Sequence, residues 1–233
     1  MNMEKAKIIV ALDHDSIAEA TDLLDALEGL PVACKVGLQL FTREGPAAVE
    51  AVRARGLAVF LDLKLHDIPN TVHQAVRSIS ELGVWMTTLH ALGSEEMMRT
   101  AAEAASGTEL QLLAVTILTS HDQESLVTIG LGLPIAEEVE RLARLATRSN
   151  IRGVVCSPQE IALLRDRLGE DLTIVTPGIR PAWSVPGDQK RIMTPAEAIS
   201  AGANHLVIGR PVTASKDPRE AAQRILDEIA MPR

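Results

Sequence analysis

Eight short runs rich in β-branched and aliphatic residues recur along the chain, and the stretches between them have helical spacing. No other feature constrains the fold as much. The runs cover 8–13, 33–38, 58–65, 85–91, 111–118, 153–158, 172–179 and 205–210. Amphipathic stretches rich in Ala, Leu, Glu and Arg fill 17–27, 43–55, 71–82, 94–105, 135–148, 158–168, 195–201 and 218–229. The first four runs begin at 8, 33, 58 and 85, spacings of 25, 25 and 27 residues. Strands apolar on both faces that alternate with helices imply a parallel sheet covered by helices. Eight such units predict an α/β chain folded as a single (β/α)8 TIM barrel over residues 1–233. The structural competitor is a doubly wound sheet. No strand, however, is followed by the Gly-x-Gly-x-x-Gly turn of a dinucleotide fold, and no linker or composition shift marks a second domain.

Charge and composition narrow the partners. Acids outnumber bases 31 to 23, a net charge of −8 that suits nucleic acid poorly. Trp85, Trp183, Phe41 and Phe60 are too few for a base-stacking platform. No apolar run approaches the roughly 18 residues that cross a bilayer. Lys5 and Lys7 precede an apolar stretch, but Ile8 to Leu12 is shorter than a signal-peptide core of roughly 7–15 residues and ends at Asp13. Cys34 and Cys156 form neither a disulfide framework nor a metal-spaced cluster and read as buried, inert thiols. The expectation is a cytoplasmic protein acting on a small molecule, with no nucleic acid or membrane partner.

In such barrels the chemistry gathers at the C-terminal ends of the strands. Charged residues fall there: Asp13 after the first strand, Lys35 on the second, and Asp62, Lys64 and Asp67 on and after the third. A period of two puts Asp62 and Lys64 on one face and Leu61, Leu63 and Leu65 on the other. If the leucines face the helices, the charged pair faces the lumen. On an exposed strand the same alternation would serve only solubility; in a closed barrel neither face meets bulk water. Buried charges must be paired. Lys35, Asp62, Lys64 and Asp67 balance one another and would keep both lysines protonated and both carboxylates ionised. His66 shares the parity of Asp62 and Lys64 only if the strand stays regular that far.

The last two strands run into Pro177-Gly178-Ile179-Arg180 and Ile208-Gly209-Arg210-Pro211. Loops after strands seven and eight often bind phosphate; glycine lets backbone N–H groups approach, and arginine adds a bidentate clamp. The polar stretch 182–191 between them has the length of a lid. Thr119 and Ser120 end the fifth strand with hydroxyls that could bind a ligand or cap a turn. His14, His73, His90, His121 and His205 fit no metal spacing.

Asp62-Leu63-Lys64-Leu65-His66-Asp67-Ile68-Pro69-Asn70-Thr71-Val72 resembles the signature of the orotidine 5′-phosphate decarboxylase family. The resemblance extends to Ala11-Leu12-Asp13, Lys35-Val36-Gly37, Leu118-Thr119-Ser120, Pro177-Gly178-Ile179-Arg180, Asp188-Gln189-Lys190-Arg191 and Val207-Ile208-Gly209-Arg210-Pro211. It implies cofactor-independent decarboxylation of orotidine 5′-phosphate (OMP) to uridine 5′-phosphate (UMP) and CO2, the last step of de novo pyrimidine synthesis. By resemblance Lys64 protonates C6, and Lys35, Asp62 and Asp67 complete the charged array. Asp67 and Thr71 reach into the neighbouring site of a homodimer. Asp13 and Lys35 hold the ribose, Ser120 with Thr119 the pyrimidine edge, and Gln189, Gly209, Arg210 and nearby Arg180 the phosphate. A sister group of Mg²⁺-dependent sugar-phosphate enzymes shares Asp-x-Lys-x-x-Asp but carries a metal-binding carboxylate near the end of strand two. Lys35 stands in that region here and argues against a metal. A non-catalytic barrel binding a nucleotide phosphate is the alternative outside enzymes.

Overall fold

The computed structural model describes residues 6–184 and 192–230. Its first half comprises β1 (Ile8–Leu12), α1 (Ile17–Leu27), β2 (Val32–Gly37), α2 (Leu38–Glu44), α3 (Pro46–Arg53), β3 (Ala58–Leu65), α4 (Pro69–Glu81), β4 (Met86–His90) and α5 (Glu95–Ala105). The second half comprises β5 (Gln111–Val115), α6 (Gln123–Thr128), α7 (Ile135–Arg148), β6 (Gly153–Val155), α8 (Ile161–Leu168), β7 (Thr173–Thr176), α9 (Pro195–Ser200), β8 (His205–Ile208), α10 (Arg210–Thr213) and α11 (Pro218–Ala230). Each strand pairs in parallel with the next, and β8 closes onto β1 through Ile8↔Leu206, Ile9↔Val207 and Val10↔Ile208. The expected (β/α)8 barrel is present. No helix among the described residues is long and apolar enough to cross a membrane.

The period-two rule sorts the core into two layers. Ile8, Val10 and Leu12 point outward into the sleeve between strands and helices, where Leu24, Leu27, Val36 and Leu61 also lie. Ile9, Ala11, Ala33, Phe60, Met86, Leu113, Val175 and Val207 point inward and fill the lumen. At the N-terminal end Trp85 meets His205 edge-on, ring centroids 4.9 Å apart, and His205 Nδ1 lies 2.8 Å from the Ala6 carbonyl. Burial lowers the pKa of His205 and so favours the uncharged ring. The barrel is plugged at its base.

Capping follows the sequence. Ser16 accepts a bond from Glu19 N–H at the start of α1, and Thr194 and Glu197 form a capping box at α9, where Pro195 occupies the first turn. Elsewhere the boundaries differ from expectation. The helix predicted over 43–55 is two helices, because Gly45 (φ +58°) and Pro46 break it; proline has no N–H to continue the ladder. Helices α6 and α10 were not anticipated. The runs ending at 118, 158, 179 and 210 overshoot their strands, which stop at Val115, Val155, Thr176 and Ile208. Apolar residues continue there because the loops line a cavity, so hydrophobicity marked burial and not ladder pairing. Cys34 is fully buried and its thiol is pushed up to about 12 by burial, so it stays protonated.

Candidate active site

β3 is the element that builds the site. Its pairing with β4 is regular at Phe60↔Met86 and Leu61↔Thr87 and resumes at Leu65↔Leu89. Four residues of advance on β3 thus match two on β4, a bulge spanning Asp62, Leu63 and Lys64. Lys64 sits within it at φ +52°, in the left-handed region. The strict alternation expected for this strand therefore fails at Lys64, yet the pair it predicted forms. Lys64 Nζ lies 2.9 and 2.8 Å from the two Asp62 carboxylate oxygens.

Lys35 comes from β2, its Nζ 3.8 Å from Asp62 Oδ2 and 3.4 Å from Asp13 Oδ1. A Cβ on Gly37 would lie 2.8 Å from that ammonium, so the glycine two residues on keeps the space open. Asp62 is buried, and burial alone would raise its pKa. The Lys35 and Lys64 charges, with hydrogen bonds from Lys64 and Thr88, outweigh this and hold the carboxyl below the usual carboxylate range. The reading from sequence missed Thr88. Its Oγ1 donates to Asp62 Oδ1 (2.8 Å) and accepts from Lys64 N–H (2.9 Å). The one available signal was a Thr-Thr pair in an otherwise mostly apolar strand.

The four-residue array is incomplete in one chain. Asp67 is exposed beyond the bulge, and its Oδ1 accepts from Ile68 N–H at 2.6 Å; among the described residues no ion pair joins it to Lys35 or Lys64. Thr71, in the first turn of α4, is also exposed. His66 and His90 stand side by side, centroids 5.6 Å apart. Burial, then the charges of His66 and Lys64, lower the pKa of His90 and favour its neutral form.

Two adjoining cavities open at this end and share Lys35, Pro177 and Val207. The smaller, about 180 Å³, has Asp62 and Lys64 on one side and Phe60, Val115, Ile117 and Val155 on the other. Thr119 lines it, whereas Ser120 is exposed and outside its lining. The larger, about 440 Å³, is bordered by Asp13, Gly178, Arg180, Gly209, Arg210 and Thr213. Arg180 is buried, donates to the Ile179 carbonyl (2.9 Å), and is held in place where its own N–H donates to the Met193 carbonyl (2.9 Å). Burial and then the neighbouring Arg210 charge lower its pKa. An anion between the two guanidiniums would relieve that repulsion. Gln189 and 185–191 of the expected lid lie outside the described residues. A cleft of about 460 Å³ near the N-terminal ends of β5 and β6, with Arg99, Glu103 and Arg152, contains none of these groups. The candidate site residues that are brought together lie at the mouth.

A parallel barrel with an ammonium–carboxylate pair at the end of β3 and a two-arginine pocket after β7 and β8 defines a class of enzymes acting on small phosphorylated molecules. Residues 6–225 match the model of the orotidine 5′-phosphate decarboxylase / HUMPS family, to which this chain belongs. An orotidine 5′-phosphate decarboxylase of Halorhodospira halophila is 53% identical over 226 residues, 96% of each chain. One from Trichlorobacter lovleyi is 51% identical over 230 residues, 97% of this chain and 95% of that one. Among solved structures, orotidine 5′-phosphate decarboxylase from Lactobacillus acidophilus superposes with a TM-score of 0.87 at 38% identity, covering 97% of this chain and 100% of that one.

Proposed function

We propose that this chain is a carbon–carbon lyase that converts orotidine 5′-phosphate to uridine 5′-phosphate and CO2 in pyrimidine synthesis. One observation carries the reading: an ammonium clamped by a buried carboxylate borders an apolar cavity that opens onto a two-arginine anion pocket. The first cavity suits a pyrimidine ring, the second a ribose 5′-phosphate. As the C6–carboxylate bond breaks, its electron pair stays on C6, where the ring offers no conjugated sink. The Lys64 ammonium stabilises that charge as it develops and then gives C6 a proton. No cofactor enters this sequence of steps. Lys35 and Asp13 hold the ribose, Thr119 and Ser120 the pyrimidine edge, and Arg180, Gly209, Arg210 and Gln189 the phosphate. Phosphate binding far from C6 supplies energy that can be spent on the transition state.

Asp67 and Thr71 belong, in this reading, to the site of a second copy in a cytoplasmic homodimer. Supporting it, Leu38, Ile68 and Leu92 follow the ends of β2, β3 and β4 as exposed large hydrophobic residues, Ile68 at 66%. A second copy covering them would bring an Asp67 carboxylate towards the lysines.

The experiment is loss of the orotidine 5′-phosphate absorbance on adding purified protein, with and without chelator. Turnover in both is expected. Activity abolished by chelator would favour the metal-dependent branch of the family, and binding without turnover would sink the enzymatic reading. Mixing inactive Lys64→Ala with inactive Asp67→Ala chains restores part of the activity if sites are built across two copies. No recovery despite demonstrated subunit exchange would overturn that arrangement.

A further inference from the structure

Left-handed backbone is unfavourable for a residue with a Cβ, so the φ of +52° at Lys64 needs a physical cause. The β3–β4 ladder does not supply it, since pairing lapses between Leu61 and Leu65. Thr88 does. It lies on the lumen face of β4, fully buried, opposite Leu113 of the inner core. A hydroxyl can donate once and accept twice, and this one does both jobs: it accepts from Lys64 N–H (2.9 Å) and donates to Asp62 Oδ1 (2.8 Å). The Lys64 side chain returns to the same carboxylate at 2.8 Å. Backbone, hydroxyl, carboxylate and ammonium therefore form a closed loop of contacts. If any link opened, the ammonium would be free to swing on its flexible stem.

We propose that Thr88 is a positioning residue for the reaction: its hydroxyl fixes the bulge at Lys64 and the rotamer of Asp62 together, and so sets where the proton-donating ammonium sits. The inference rests on the reading of Lys64 as proton donor. The adjacent Thr87 provides an internal control. It is equally buried, but its Oγ1 donates to the Leu61 carbonyl, a contact away from the charged groups. If threonine in this strand served stability alone, the two would behave alike.

The test compares Thr88→Val, Thr88→Ser and Thr87→Val with the wild-type enzyme on orotidine 5′-phosphate. Valine keeps the shape of threonine and removes both hydrogen bonds; serine keeps the hydroxyl. Thr88→Val should lower kcat on the order of 100-fold, the scale of a misplaced catalytic group. Its KM should stay within about threefold, because ground-state binding is untouched. Thr88→Ser should recover most of kcat, and Thr87→Val should keep kcat within about threefold. A Thr88→Val enzyme with wild-type kcat, a Thr88→Ser enzyme as slow as Thr88→Val, or an equal loss in Thr87→Val would overturn the proposal.

Amide hydrogen exchange in the unmutated protein gives a readout independent of turnover and of how any variant folds. The Lys64 N–H should be protected, and exchange at the rate of a free loop amide would also overturn the proposal. A wild-type enzyme that leaves orotidine 5′-phosphate intact would instead refute the assigned reaction, while the exchange result still judges the Thr88 link.

Discussion

The two halves of the barrel mouth are built on opposite principles. On the β2–β3–β4 side the functional groups rise from strand backbone: Lys35 from a regular ladder, Asp62 and Lys64 from a bulge braced by Thr88. Each charge there is answered by another at 2.8 to 3.8 Å. On the β7–β8 side they come from loops and a short helix, where Gly178, Arg180, Gly209 and Arg210 border an open pocket with two like charges near each other. On the first side opposite charges meet directly; on the second two like charges stand near each other, which suits an anion between them. In the function proposed above, the bond-breaking step falls to the strand side and the grip to the loop side.

That division can be broken by mutation. If Lys64 supplies both the stabilising charge and the proton, as proposed, Lys64→Ala should lower kcat on the order of 10⁴-fold with the fold intact. Single-turnover assays with circular dichroism as the folding check would measure this. Loss confined to KM would reverse the assignment. Arg210→Ala should lower kcat/KM by about 10- to 100-fold, as expected for one charge-assisted contact, with most of the loss in KM. A loss wholly in kcat would mean the two halves are not separable.

The smallest effect concerns stability. The Asp62 carboxyl is held below its ordinary range in the folded chain, so its contribution is present above the unfolded value near 3.9 and is lost as pH falls through the lower folded value. Urea midpoints measured from about pH 6 down to about pH 3 should decline less steeply in Asp62→Asn than in the wild type. An identical decline would mean the carboxylate is not coupled to its lysines.

Much of this was legible in the sequence, for identifiable reasons. Strands buried on both faces leave unbroken apolar runs, and eight of these between amphipathic stretches admit few folds. Asp62 and Lys64 stood out because charges two residues apart on such a run must find each other. The bulge left no trace, since a left-handed lysine looks like any other lysine. Thr88 was hidden because its partners lie 24 and 26 residues away on another strand. Asp67 lies near the array in sequence but is exposed in its own chain, as a residue expected to serve a neighbouring site would be. Thr119, and not Ser120, lines the smaller cavity, a distinction of one residue in a turn that spacing cannot make.

The plug at the base of the barrel has a consequence for the charges above it. Phe60 lies two residues before Asp62 on the same face, with Met86 and Leu113 in the same apolar layer and the Trp85–His205 pair among the residues closing the base. This floor polarises weakly. Water can screen the Lys64–Asp62 pair from the mouth but not from below, and a substrate filling the mouth would displace that water. In the proposed reaction the Lys64 charge, with Asp62 beside it, would then act on C6 with less screening than in open water. The aliphatic residues that made the chain recognisable as a barrel are also its electrical insulation.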